Sequence, residues 1–216
     1  MQKLIGFSRS TLILLVTAML SISPVAAVES DTLTDIGKQI EQHHVVRAEF
    51  TQTKQMADLK RPLITRGKLV YSRDHGVLWQ IEQPYRIGYV LGEEKIVEIS
   101  AHGVRKERGM RDIPGLAQVG RVFRAMLGAN TVALKSYFDA SVQGDTSQWA
   151  IQLTPKQAQL KQFLTQLKLQ GSRFVETIDI DENNGDRTTI RFTDSQAATT
   201  LSLEELQLLT GLAKQQ

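Results

Sequence analysis

Residues 45 to 109 alternate apolar and polar side chains with the two-residue period of half-buried strands. Val46, Ala48 and Phe50 share one face, with Arg47, Glu49 and Thr51 on the other. Leu63, Thr65, Gly67, Leu69 and Tyr71 alternate in the same way against Ile64, Arg66, Lys68 and Val70. Val77, Trp79 and Ile81 begin a third strand, which ends at Gln83-Pro84. Tyr85, Ile87, Tyr89 and Leu91 predict a fourth, Val97 and Ile99 a fifth, and Val104 to Arg108 a sixth. Asp74-His75-Gly76, Gly92-Glu93-Glu94 and Ala101-His102-Gly103 carry turn chemistry between them, so antiparallel hairpins are expected. A helix over Val28 to His44 precedes the strands, with Leu33, Ile36, Ile40 and Val45 recurring at helical spacing.

The period changes at Pro114. Leu116, Val119, Phe123, Met126 and Leu127 fall on one helical face, with Gln118, Arg121 and Arg124 elsewhere. Proline suits the first turn of such a helix and Gly128 its stop. This helix is either an ordinary core element or a lid over an apolar cavity, and its pattern leaves both readings open. Thr131 to Phe138 predicts a shorter helix with Asn130 as N-cap. Strands resume over Tyr137–Val142, Trp149–Leu153, Leu167–Leu169, Phe174–Ile180 and Thr188–Phe192, with a helical crossover expected over Pro155–Leu164. Ser202 and Glu205 make a capping box ahead of Leu203, Leu206, Leu209 and Leu212, a short amphipathic helix. No linker or fixed-period repeat divides residues 28–216, so one domain is expected, its sheet of about ten strands large enough that it must curl or close.

Residues 1–27 read as a secretory leader. Lys3 and Arg9 supply the positive start, Thr11 to Ile22 the apolar stretch, Ser23-Pro24 the helix break and Val25-Ala26-Ala27 the cleavage site. An apolar run of about a dozen residues falls short of the ~20 that span a bilayer. Cleavage and a periplasmic destination are therefore expected. The charge changes with it: 26 Lys and Arg against 23 Asp and Glu give a formal +3. From residue 28 onward the balance is 24 against 23, a net +1. A nearly neutral chain without a basic–aromatic stripe points away from nucleic acid. The lack of cysteine excludes disulfides, zinc ribbons, iron–sulfur clusters and thiol nucleophiles.

Candidate chemistry is sparse. His43 and His44 are adjacent and point apart, while His75 and His102 sit in turns, so no metal site is expected. Asp179 to Asp186 faintly resembles a calcium loop, but Gly185 comes one place late and Ile190 stands where the bidentate glutamate belongs. Asn183-Asn184-Gly185 suits a hairpin turn instead. No nucleophile elbow, P-loop or dinucleotide fingerprint is present, so neither catalytic residues nor a cofactor are expected. Arg105 to Arg111 holds four positive charges in seven residues. It reads as a contact for anionic headgroups or an acidic partner, or as a charged strand edge.

From Ile36 to about Ser100 the chain resembles the periplasmic outer-membrane lipoprotein carrier (LolA-like) family, as a divergent member. The resemblance is carried by Val46-Arg-Ala-Glu-Phe50-Thr-Gln52-Thr-Lys54, by Gly67-Lys-Leu69-Val-Tyr71, and by Arg73. Leu78-Trp79-Gln-Ile-Glu-Gln-Pro84 and Leu91-Gly92-Glu-Glu-Lys95 follow in family order. The departures are Asp74, where the family has proline, and Ile96-Val-Glu-Ile99, where it often has aromatics. The resemblance implies an α+β, mainly antiparallel fold: an incomplete, half-open β-barrel with an inserted α-helical lid. It also implies a carrier without catalysis or cofactor, which takes lipoprotein acyl chains from an inner-membrane release complex to an outer-membrane receptor. Arg73 stands where the family places the arginine that latches the lid.

The candidate cavity residues are Phe50, Leu69, Trp79, Ile87 and Tyr89 from strands, with Val119, Phe123 and Met126 from the lid. The expected partners are acyl chains of a lipoprotein or other lipid and the two envelope complexes, with the carrier itself a monomer. The alternative is an interaction or sensing module of the envelope with a filled interior; an enzyme on envelope glycolipids is a third reading.

Overall fold

The computed structural model describes residues 25–92, 95–109, 125, 127, 128 and 130–211. Helix α1 (Val25–Glu41) leads into strands β1 (Val45–Gln55), β2 (Leu63–Ser72), β3 (Gly76–Gln83), β4 (Ile87–Leu91), β5 (Lys95–Ser100) and β6 (Arg105–Gly109). Helix α2 (Thr131–Tyr137) precedes β7 (Phe138–Asp145) and β8 (Gln148–Pro155). The single turn α3 (Ala158–Lys161) joins β8 to β9 (Leu164–Gly171), and β10 (Val175–Glu182), β11 (Arg187–Ala198) and α4 (Leu203–Thr210) complete the chain. All eleven strands form one sheet in the order β6-β5-β4-β3-β2-β1-β11-β10-β9-β8-β7. Among the described residues every pairing is antiparallel, β1 and β11 meet at the centre, and the outer strands β6 and β7 do not pair, so the sheet is an open barrel. Sheet and helices together make an α+β, mainly antiparallel half-barrel.

Strand parity sends one side of this sheet to each of two cores. Ala48, Phe50, Leu69, Val77, Trp79, Ile151, Leu153, Leu167, Leu169, Ile178, Ile190 and Phe192 face inward. Leu33, Ile36 and Ile40, the helical stripe of α1, bury against them. The Gln39 side chain fixes that helix by donating to the carbonyls of Thr146 (3.0 Å) and Ser172 (2.9 Å). On the convex side Val45, Val70, Leu78, Val90, Val97 and Ile99 meet Leu208 and Leu209 of α4.

The local signals hold. Asn130 Oδ1 accepts from Ala133 N at 2.9 Å and caps α2. Ser202 and Glu205 form the reciprocal capping box of α4, which Gly211 ends in the left-handed region at φ +77°. Arg47 donates to both oxygens of Glu205 at 2.5 Å, tying α4 to β1.

Four expectations differ from the structure. The first helix ends at Glu41 rather than His44, and Val45 opens β1 and packs on the convex side instead of extending the helical stripe. Residues 155–164 make no crossover, because β8 and β9 are antiparallel neighbours and α3 merely bridges their ends. Tyr85 stands in the β3–β4 turn, exposed, rather than in the strand. Leu203 is 79% exposed, and Leu208 with Leu209 covers the sheet in its place. Residues 1–24 of the expected leader and most of the Pro114–Gly128 helix lie outside the described residues, Val119, Phe123 and Met126 among them, while Val25-Ala26-Ala27, the expected cleavage site, forms the first turn of α1. Of that helix, Ala125 and Leu127 are helical and belong to the same buried cluster as Phe50 and Trp79.

Candidate functional site

The concave face is organised around three aromatic rings from distant parts of the chain. Phe50 of β1 and Trp79 of β3 stack with centroids 3.8 Å apart, although a whole strand lies between them. The intervening position makes this possible: Phe50 pairs with Gly67 of β2, which has no side chain to stand between the rings. Gly67 also lets β3 approach closely, since a Cβ there would lie 1.8 Å from the Gln80 carbonyl oxygen. Phe192, opposite Phe50 on β11, meets the Trp79 ring edge-on at 6.2 Å and 87°. Leu69 flanks Trp79 across the β2–β3 ladder and Tyr89 does so across β3–β4. Four of the five strand candidates, Phe50, Leu69, Trp79 and Tyr89, therefore sit together. Ile87 shares their parity, paired with Ile81, but lies half-buried toward the end of the sheet.

Polarity rises from this centre toward the end of the sheet where β1 finishes. Beyond Phe50 on the same face come Gln52 and Lys54, opposite Thr65 and Leu63. The Lys54 ammonium donates to both oxygens of Glu182 at 2.9 Å and lies 3.2 Å from Asp186. Asp186 also accepts from Ala57 N at 3.0 Å. That bond and the neighbouring Lys54 hold the Asp186 carboxyl below its usual range, and Glu182 holds Lys54 above its own. The acidic run that faintly resembles a calcium loop is thus a hairpin turn, with Gly185 at φ +87° and its carboxylates engaged by Lys54, Arg187 and Thr189. Tyr89 pairs with Glu98; burial, then that carboxylate, pushes the phenol up, so the interior keeps it neutral.

Arg73 lies exposed in the β2–β3 turn, its backbone N–H bonded to the His44 carbonyl at 3.0 Å. The helix it would latch is outside the described residues. The basic run is divided between tasks. Arg105 donates to the Leu208 carbonyl at 2.8 Å, at the C-terminal end of α4, where helix dipole and cation agree. Glu107 pairs with Lys95 at 2.8 Å, and β6 is an outer strand of the sheet. Two grooves flank α4 on the convex side, of about 300 and 370 Å³. Leu78, Ile87, Ile99 and Leu208 line much of the first, with Glu82 and Arg86 as its charged groups, whereas Arg47, Glu49, Lys68 and Glu204 make the second strongly charged.

The parts of this site that sequence reading missed are Phe192 and Gly67. Phe192 lies 142 positions from its partner Phe50, beyond any local period. Gly67 appeared within the G-x-L strand, and an isolated strand glycine is a signal for close backbone approach.

The fold and site define an open antiparallel half-barrel whose concave face carries a buried aromatic and aliphatic cluster. The family model described as "Outer membrane lipoprotein carrier protein LolA-like" matches residues 23–211, and the chain belongs to that family. No curated protein sequence matches the chain. Among solved structures, it is similar to MucB in the MucA/MucB complex of Pseudomonas aeruginosa, at 14% identity and TM-score 0.48, over 83% of this chain and 60% of that one. A LolA superfamily protein of Nitrosomonas europaea is similar at 6% identity and TM-score 0.44, over 79% of this chain and 95% of that one. The lipoprotein LppX of Mycobacterium tuberculosis is similar at 11% identity and TM-score 0.43, over 81% and 97%.

Proposed function

We propose that this protein is a non-catalytic carrier of the bacterial periplasm that holds the acyl chains of a lipoprotein or another lipid against its concave face. The observation that supports it most is the Phe50–Trp79–Phe192 cluster on a sheet that remains open between β6 and β7. Acyl chains are held there by exclusion from water, at about 0.8 kcal/mol per buried CH₂. Val119, Phe123 and Met126 complete the enclosure as a lid, and Arg73 latches it. The lid gives the carrier two states that cargo and partners bias. Membership of the lipoprotein-carrier family supports loading at an inner-membrane release complex and delivery to an outer-membrane receptor, by a monomer without cofactor.

A native mass spectrum of protein purified from its host tests this reading. Copurified acyl lipid, lost when Phe123→Glu is introduced, supports it. Protein with no adduct, and with no gain on incubation with acylated probe, refutes it in favour of an interaction module with a filled interior.

A further inference from the structure

Six of the eight exposed large hydrophobic residues among those described crowd onto one end of the sheet. They are Leu59, Leu63, Ile64, Tyr85, Val104 and Phe163, between 43% and 67% exposed. The registers place them at the same end. Leu63 pairs with Lys54 near the end of β1, and Arg66 with Gln83 just before the turn holding Tyr85. Ile99 pairs with Arg105 across the turn holding Val104, and Glu182 with Leu164 beside Phe163. The 183–186 turn joins two of these loops: Asn183 N donates to the Phe163 carbonyl at 3.1 Å, and Asp186 accepts from Ala57 N at 3.0 Å.

The charge at this end is positive on balance. Lys60, Arg61, Arg86 and Lys161 are exposed and enter no ion pair among the described residues. The acids beside them are largely committed, Glu82 to Lys68, Asp181 to Arg187, and Glu182 and Asp186 to Lys54. Asp58 is the exception. Apolar tips interspersed with unpaired cations, on loops rather than in a groove, suit a surface that is negative outside and apolar just beneath.

We infer that this end of the half-barrel is a membrane-docking rim that settles on an anionic bilayer. The cations contact phosphate headgroups and Leu63, Phe163 and Tyr85 enter the acyl boundary. Tyr85 suits that depth, with its ring apolar and its hydroxyl wet. The rim lies outside the concave site, and the inference stands whether or not the chain carries acyl groups. It assigns a task to residues that the carrier reading leaves unused.

Vesicle flotation with the chain lacking residues 1–27 tests it. Those residues are removed because an apolar leader would itself bind lipid, and the first described core side chain is Leu33. Vesicles of phosphatidylethanolamine and phosphatidylglycerol should float the protein, and pure phosphatidylcholine vesicles should not. Lys60→Gln with Arg61→Gln should lower partitioning roughly 25-fold, about fivefold per cation. Leu63→Ser with Phe163→Ser should lower it by about tenfold or more. Both substitutions are at exposed positions, so the fold survives them, as an unchanged urea midpoint would verify. Leu203→Ser, apolar and more exposed still but on α4, should leave partitioning unchanged. Equal flotation on both vesicle types, undiminished flotation of the Leu63/Phe163 variant, or no flotation at all would overturn the inference. Failure there leaves acyl binding by the concave face untouched.

Discussion

Gly67→Ala should be among the most damaging single-methyl changes in this protein. The added Cβ would lie 1.8 Å from the Gln80 carbonyl oxygen, 2.8 Å from its carbon and 3.0 Å from Ile81 Cα. All three atoms are backbone, so no side chain can rotate away. Restoring an ordinary 3.4 Å contact requires β3 to retreat by about 1.6 Å from β2. A retreat of that size breaks at least one ladder hydrogen bond and strains the Phe50–Trp79 stack above it. Overpacking costs about 1–3 kcal/mol and an orphaned buried backbone group about as much again, which gives an expected loss of roughly 3–4 kcal/mol. Gly88→Ala is the matched control. Its Cβ would meet Ile99 Cβ at 3.5 Å, ordinary contact, and neither glycine has a positive φ. That variant should stay within about 0.5 kcal/mol of the parent. Urea unfolding reads both as shifts of midpoint at constant slope. Stabilities of the two variants within about 1 kcal/mol of each other would refute the close-approach account of β2 and β3.

Three further outcomes are expected. Phe192→Ala removes a ring that is 7% exposed and edge-on to Trp79; it should cost about 3 kcal/mol in urea unfolding and alter the near-ultraviolet dichroism of Trp79. Glu205→Gln weakens the link between α4 and β1, and should cost about 1–2 kcal/mol at pH 7 after allowance for the partial exposure of Arg47. Arg47 holds the folded Glu205 carboxyl below its ordinary 4.5, so this stabilisation is full above that value and fades as pH falls through the depressed one. The gap between parent and Glu205→Gln should therefore close in acid, as denaturation series at neutral and acid pH would check; a gap independent of pH would contradict the assignment.

Much of the architecture was legible because its signals are local. Asn130 and the Ser202–Glu205 pair marked helix starts through side chains that reach only three residues onward. The alternation Val46-Ala48-Phe50 already put Phe50 on one face with its neighbours, and the structure identifies that face as the concave one. What stayed hidden depends on register between distant strands. Nothing near Phe50 announces that Gly67 will lie beside it and Phe192 opposite. Residues 155–164 misled because a proline and a short apolar run look alike in a crossover and in a tight connection between antiparallel strands. Leu203 misled because the capping box fixes where α4 begins but not which side it turns to the sheet; Arg47 and Arg105, gripping its two ends, do that. The exposed rim residues seemed ordinary strand and loop positions until pairing gathered them at one end.

The most direct test of the carrier account is titration of the delipidated chain with a fluorescent long-chain acyl probe, with Trp79 as the energy-transfer donor and Trp79→Phe as the control for Trp149. The account predicts saturable binding near one probe per chain at micromolar concentration, with transfer reduced in Trp79→Phe to the part that Trp149 supplies. No saturable binding, or transfer undiminished by the loss of Trp79, would contradict it.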